Sequence, residues 1–135
     1  MIGDFWRRIL VWNAIPTSNY QPADVVIGAP DSVTVGDVTA WGLPSDGTNL
    51  YVAETDGRRV LIYRPIPTAN GALPSGVLGQ SDLAHFAYND DNQDGTADAT
   101  PSRRTFGYPS SVTIIGRKLY VTDEGNNRIM VFNSK

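Results

Sequence analysis

Apolar residues occur along this chain in short alternating bursts separated by turn formers, the pattern of many brief β-strands. Val38 to Leu43 predicts one strand. The Asp46-Gly47 pair in the Pro44–Thr48 segment after it tolerates the positive φ of a tight hairpin turn. Asn49 to Glu54 predicts a second strand, Thr55 to Arg58 a turn, and Arg59 to Tyr63 a third strand. A crossing with Pro65, Pro67 and Pro74 leads to a short fourth strand at Val77 to Gln80. The prolines fall outside the paired segments because they cannot donate to a ladder. No segment carries an apolar period of about 3.6 residues.

The pattern repeats. Arg8 to Asp31 aligns without a gap on Arg59 to Asp82, an offset of 51, with identities at Arg8, Leu10, Ile15, Pro16, Thr17, Asn19, Val26, Gly28 and Asp31. A third copy lies near the C-terminus. Leu50-Tyr51-Val52-Ala53-Glu54 matches Leu119-Tyr120-Val121-Thr122-Asp123, and Arg59 to Tyr63 matches Arg128 to Phe132, both at an offset of 69. Val38 over Val112 is an offset of 74. An insertion of 74 − 51 = 23 residues therefore enters between Asp82 and Val112, and 74 − 69 = 5 residues are lost before Leu119. Four antiparallel strands in a repeated unit of about 40–50 residues describe a β-propeller blade. A β-sandwich of similar strand count is the alternative, although its strands need not repeat in sequence.

Composition narrows the function classes. Eleven Lys+Arg against fourteen Asp+Glu leave a net charge of −3, which argues against a nucleic-acid partner held by bulk charge. The absence of cysteine excludes disulfides, thiolate metal sites and a Cys nucleophile, and the single histidine, His85, excludes a His-rich metal site within the chain. The longest apolar runs, such as Ile9 to Trp12, are four or five residues against the roughly 20 that span a bilayer, so no membrane partner is expected. Met1 to Arg8 lacks the form of a signal peptide.

The segment Leu119-Tyr120-Val121-Thr122-Asp123-Glu124-Gly125-Asn126-Asn127-Arg128-Ile129-Met130-Val131-Phe132 resembles the NHL repeat. That repeat runs apolar-Tyr-Val-Ala-Asp, then Gly-Asn-x-Arg-Val, then a strand ending on an aromatic. Tyr51 to Glu54 with Arg58-Arg59-Val60 resembles it too, with Glu54 in place of the Asp and Thr55-Asp56-Gly57 in place of the Gly-Asn. The Ile-Pro-Thr-x-Asn crossing and Val-Leu-Gly-Gln are similar to a bacterial subset of these repeats. The resemblance covers about residues 8 to 133 and implies a propeller, commonly six-bladed, with no particular activity.

Under that reading the fold class is all-β. Residues 1–36 form a partial blade with strands three and four, 37–82 a complete blade, and 83–135 the insertion loop plus strands one to three of another blade. Nine strands are expected. A closed ring needs about four blades or more, so this ring is incomplete in one chain. Either the chain is a fragment of a longer propeller, or copies assemble as a homo-oligomer, a trimer or tetramer of two-blade units.

One constellation has the look of a metal loop. Asp90, Asn92, Asp94 and Asp98 fall at positions one, three, five and nine of a loop in which Gly95 permits the turn and Thr96 offers its carbonyl. Alternating hard oxygen donors suit Ca²⁺, but position twelve is Pro101 rather than a bidentate Glu. The other reading is a solvated insertion whose Asn, Asp and Gly serve turns. His85, Phe86 and Tyr88 before it read as the insertion's own small core or as a ligand cluster. Arg8, Arg59 and Arg128 read either as cations for an anionic ligand or as partners of turn carbonyls and of Glu54 and Asp123. No Ser–His–Asp order, phosphate loop or paired-carboxylate site is present. The expected function is a non-catalytic binding or scaffold module for a protein or small-molecule ligand. The alternative is a fragment of a calcium-dependent hydrolase or lyase of propeller type. Calcium binding would fit an extracellular or periplasmic location.

Overall fold

A computed structural model describes residues 1–133, almost all of whose ordered segments are strands. The central sheet contains β4 (Ala40–Gly42), β5 (Leu50–Glu54), β6 (Arg59–Tyr63) and β7 (Gly76–Leu78), paired antiparallel in chain order. On one side lies a sheet of β1 (Ile2–Asp4), β2 (Arg8–Val11) and β3 (Val25–Ile27). On the other lies a sheet of β8 (Pro109–Ile115), β9 (Lys118–Asp123) and β10 (Arg128–Asn133). The chain is all-β, in three antiparallel sheets. Among the described residues no helix is long and apolar enough to cross a membrane.

Among the described residues there are ten strands rather than the expected nine, because β1 adds a strand to the N-terminal sheet. Ile2-Gly3-Asp4 is too short to show alternation in sequence. Its identity comes from pairing: Asp4 lies opposite Arg8, as Glu54 lies opposite Arg59 and Asp123 opposite Arg128.

The sequence repeat is a structural repeat as well. Leu10 pairs with Val26 and Leu61 with Val77, both 51 apart, and Tyr51–Ile62 recurs as Tyr120–Val131 at 69. The residue before each aligned arginine is left-handed: Arg7 (φ 61°), Arg58 (φ 52°) and Asn127 (φ 51°). Gly28 (φ 86°) and Gly79 (φ 96°) take the same conformation after β3 and β7, a region that glycine enters without steric cost.

Alternation then decides what each sheet covers. Leu50, Val52, Leu61 and Tyr63 point to one face of the central sheet and pack with Ile9, Val11, Val25 and Ile27. Tyr51, Ala53 and Val60 point to the other face and pack with Phe106, Val112, Leu119 and Val121. The three sheets are therefore stacked face to face, and every residue of β5 is buried. At about 1.5–3 kcal/mol for each fully buried Val, Leu or Ile side chain, these two seams are the main cohesion of the fold.

Candidate functional site

Each sheet carries the same polar staple at the end of its second and third strand equivalents. The Nε of Arg8 donates to Asp4 Oδ2 at 3.0 Å, that of Arg59 to Glu54 Oε2 at 2.5 Å, and that of Arg128 to Asp123 Oδ2 at 2.9 Å. A second guanidinium nitrogen donates to a backbone carbonyl: Ser32 for Arg8, Leu83 for Arg59 and Thr105 for Arg128. Ser32 and Leu83 are themselves 51 apart, so the repeat extends to the partner loop. The arginines are thus internal ties between turn and loop, not a ring of free cations. Hydrogen bonding to Arg8 holds the Asp4 carboxyl below its usual range. Burial pushes the Glu54 carboxyl up, with Arg59 working in the opposite direction. Sequence reasoning missed Asp4, whose turn is one residue shorter than the other two.

The insertion is anchored to the third sheet through amides and a phenol. Asn89 and Asn126 exchange side-chain hydrogen bonds at 3.1 and 2.8 Å, and the Tyr88 hydroxyl donates to the Gly125 carbonyl at 2.8 Å. Asp123, fully buried, accepts from the Gly107 and Tyr108 amides and from Asn126 as well as from Arg128.

The five residues of the candidate calcium loop lie in consecutive turns that the loop closes with its own backbone. The buried Asp90 carboxylate accepts from the Asp94 amide at 3.1 Å and the Gly95 amide at 2.9 Å. Asp94 accepts from the Thr96 amide at 2.8 Å and from the Asn92 side chain at 2.9 Å, and Asp98 accepts from the Asp91 amide at 3.0 Å. The Thr96 amide is the main reason that the Asp94 carboxyl sits below its usual range. Among the described residues no group of three or more His, Asp or Glu side chains is gathered as a metal shell. Asp91, which the calcium spacing leaves out, pairs in bidentate fashion with Arg104 at 3.0 and 2.8 Å.

His85 lies beside both an acid and a hydroxyl. Its Nδ1 is 2.7 Å from Asp82 Oδ1 and 3.1 Å from Ser81 Oγ. A base that relays a proton from a nucleophile needs the hydroxyl on one ring nitrogen and the carboxylate on the other. Here both partners share one nitrogen, an arrangement that orders the Ser81–His85 loop and activates no serine. Hydrogen bonding to Asp82 raises the His85 pKa, and the same contact lowers that of Asp82.

A cavity of about 390 Å³ opens between the N-terminal and central sheets. Val38, Leu61 and Pro74 give it apolar walls, and Asp37, Glu54, Arg59 and Tyr63 reach its lining. The Tyr63 side chain is buried and its hydroxyl has no hydrogen-bond partner among the described residues. Burial, then the nearby Glu54 and Asp37 charges, push that hydroxyl above the ordinary tyrosine range. It therefore remains a neutral donor. Such a cavity can hold ordered water or a small hydroxylated molecule, and it contains no nucleophile poised beside a base. Neither Tyr63 nor Asp37 stands out in sequence, since each reads as ordinary strand or turn content.

No family model matches the chain, and neither a curated protein nor a solved structure matches it.

Proposed function

We propose that the chain is an NHL-like β-propeller module that acts as a non-catalytic binding or scaffold element and assembles with copies of itself into a closed ring. The observation that carries this reading is the central sheet, covered on both faces by repeat-related sheets with β5 buried throughout. A blade packs on two neighbours in this way, whereas a two-layer sandwich covers each sheet on one face only. The repeated acid–arginine–carbonyl staple supports it, since each copy spends its charges on holding turns. Small-angle X-ray scattering of the assembled chain tests the reading. A flat disc pierced by a channel is expected, and an elongated particle would reject ring closure.

Calcium at residues 90–98 is a separable part of the proposal, with Asp90, Asn92, Asp94, the Thr96 carbonyl and Asp98 as donors. Their oxygens, at positions one, three, five, seven and nine of the loop, have the alternation that suits a hard cation. A site with a dissociation constant of about 1 mM would add roughly 1.4 kcal/mol of stability at 10 mM calcium. Thermal melts with and without calcium read this directly. A rise of a few degrees that Asp94→Asn abolishes is expected, and coincident melts would remove the metal.

A further inference from the structure

Internal repetition makes the two outer faces of the stack counterparts of faces that already pack together inside it. On the central sheet, Tyr51, Ala53, Val60 and Ile62 form the face that meets β8–β10. At the offset of 69 the same positions of the last sheet are Tyr120, Thr122, Ile129 and Val131. These point away from the central sheet, and Ile129 and Val131 are 65% and 51% exposed, whereas Ala53 and Val60 are fully buried. The receiving face inside the stack is built from Val121, Met130 and Phe132 on the last sheet, and from their repeat equivalents Val52, Leu61 and Tyr63 on the central one. On the first sheet the corresponding positions are Ile2, Leu10 and Trp12. Ile2 lies opposite Leu10 as Val52 lies opposite Leu61. Ile2 is 57% exposed, and Leu10 and Trp12 are half-buried.

We propose that the Tyr120–Thr122–Ile129–Val131 face of one copy docks on the Ile2–Leu10–Trp12 face of a second copy, and that two copies close one ring of six sheets. This rests on the propeller reading above and adds to it the surfaces, the polarity and the copy number. The contact continues the interface already present twice within the chain, with the same residue classes at the same strand positions except Thr122 in place of Ala53. The outer faces overlap where they should: both bear their apolar residues on the second and third strand equivalents, β9–β10 on one side and β1–β2 on the other. Head-to-tail contacts of this kind form rings when the rotation closes. Two copies supply six sheets, whereas three would supply nine, beyond the four to eight typical of propellers. Closure also covers the exposed apolar side chains of Ile129 and Val131 on β10, which otherwise invite nonspecific association.

The test is light scattering on the wild-type chain and on Val131→Lys and Ile2→Lys, with Thr48→Lys, on an exposed turn of the central sheet, as the control. The wild type and the control are expected to form dimers. Each face variant alone is expected to dissociate at least tenfold more readily, because both contacts of the ring carry the change. Mixing the two variants should restore a heterodimer through the one unaltered contact. Bismaleimide cross-linking of a Val131→Cys chain to an Ile2→Cys chain gives a second reading in a protein that has no native cysteine. Cross-linked heterodimer is expected, and none would overturn the proposal. Face variants that dimerise like the wild type would overturn the assigned surfaces while leaving the propeller reading intact. A monomeric wild type would overturn both. Higher polymers that either variant dissolves would overturn the two-copy ring.

Discussion

At the scale of the residue, charge in this protein is organised in pairs that hold turns, and the pairs differ in how deeply they lie. Glu54 is almost wholly enclosed, and among the described residues Arg59 is its only cationic hydrogen-bond partner. Removing one member of a buried pair strands the other, at about 3–5 kcal/mol. Arg59→Ala is therefore expected to lower the urea-denaturation free energy by roughly that amount. Arg8→Ala, at a pair whose acid is more open, should cost less. His85 offers a pH test. Its pKa is raised and that of Asp82 lowered, so the contribution of His85 is complete below its unfolded pKa and fades as pH climbs through the raised folded value. The contribution of Asp82 is lost at the acid end, as pH falls through its own lowered value. NMR titration is expected to place His85 above the usual 6.5, and Asp82→Asn should return it toward that value. The arginine pairings with Glu54 and Asp123 were legible in the sequence, because an acid ends one strand and an arginine opens the next. Asp4 was not, because its turn is a residue shorter. The Tyr63 hydroxyl was not either, because a missing partner is a property of packing.

At the scale of the element, strand positions follow from alternation and strand ends from turns. The hairpins at Gly47 and Arg58 fall where Asp-Gly and Thr-Asp-Gly-Arg predict them. The fourth-strand equivalents were harder to delimit: β7 ends at Leu78 rather than Gln80, because Gly79 takes φ 96° and turns the chain toward the insertion. A β-carbon on Gly79 would come within 2.2 Å of a Phe106 ring carbon, in a backbone region that other residues rarely adopt. Gly79→Ala should therefore destabilise by about 2–4 kcal/mol, the sum of backbone strain and overpacking. Gly47→Ala is the comparison, since Gly47 has φ 90° but open space around it. It should show the backbone cost alone, about 1–2 kcal/mol. Equal losses at the two sites would mean that Phe106 yields freely. The insertion shows where sequence reasoning stops. Its oxygen spacing pointed to a cation, but whether side chains converge or turn inward to amides depends on backbone dihedrals that composition leaves open.

At the scale of the whole molecule, the repeat alone was enough to give three related sheets and the all-β class. How the sheets face one another came only from the structure, because β5 and β6 are apolar on both sides and alternation there selects no single core face. A strand apolar on one side needs one neighbour, and a strand apolar on both sides needs two. The central sheet has both neighbours within the chain, and the outer sheets each have one. Ring closure requires that the unmet faces find their counterparts on another copy. Molar mass in solution, measured by light scattering across a concentration series, tests it most directly. Convergence on twice 14.7 kDa as concentration rises is expected. A mass that stays at 14.7 kDa throughout the series would contradict it.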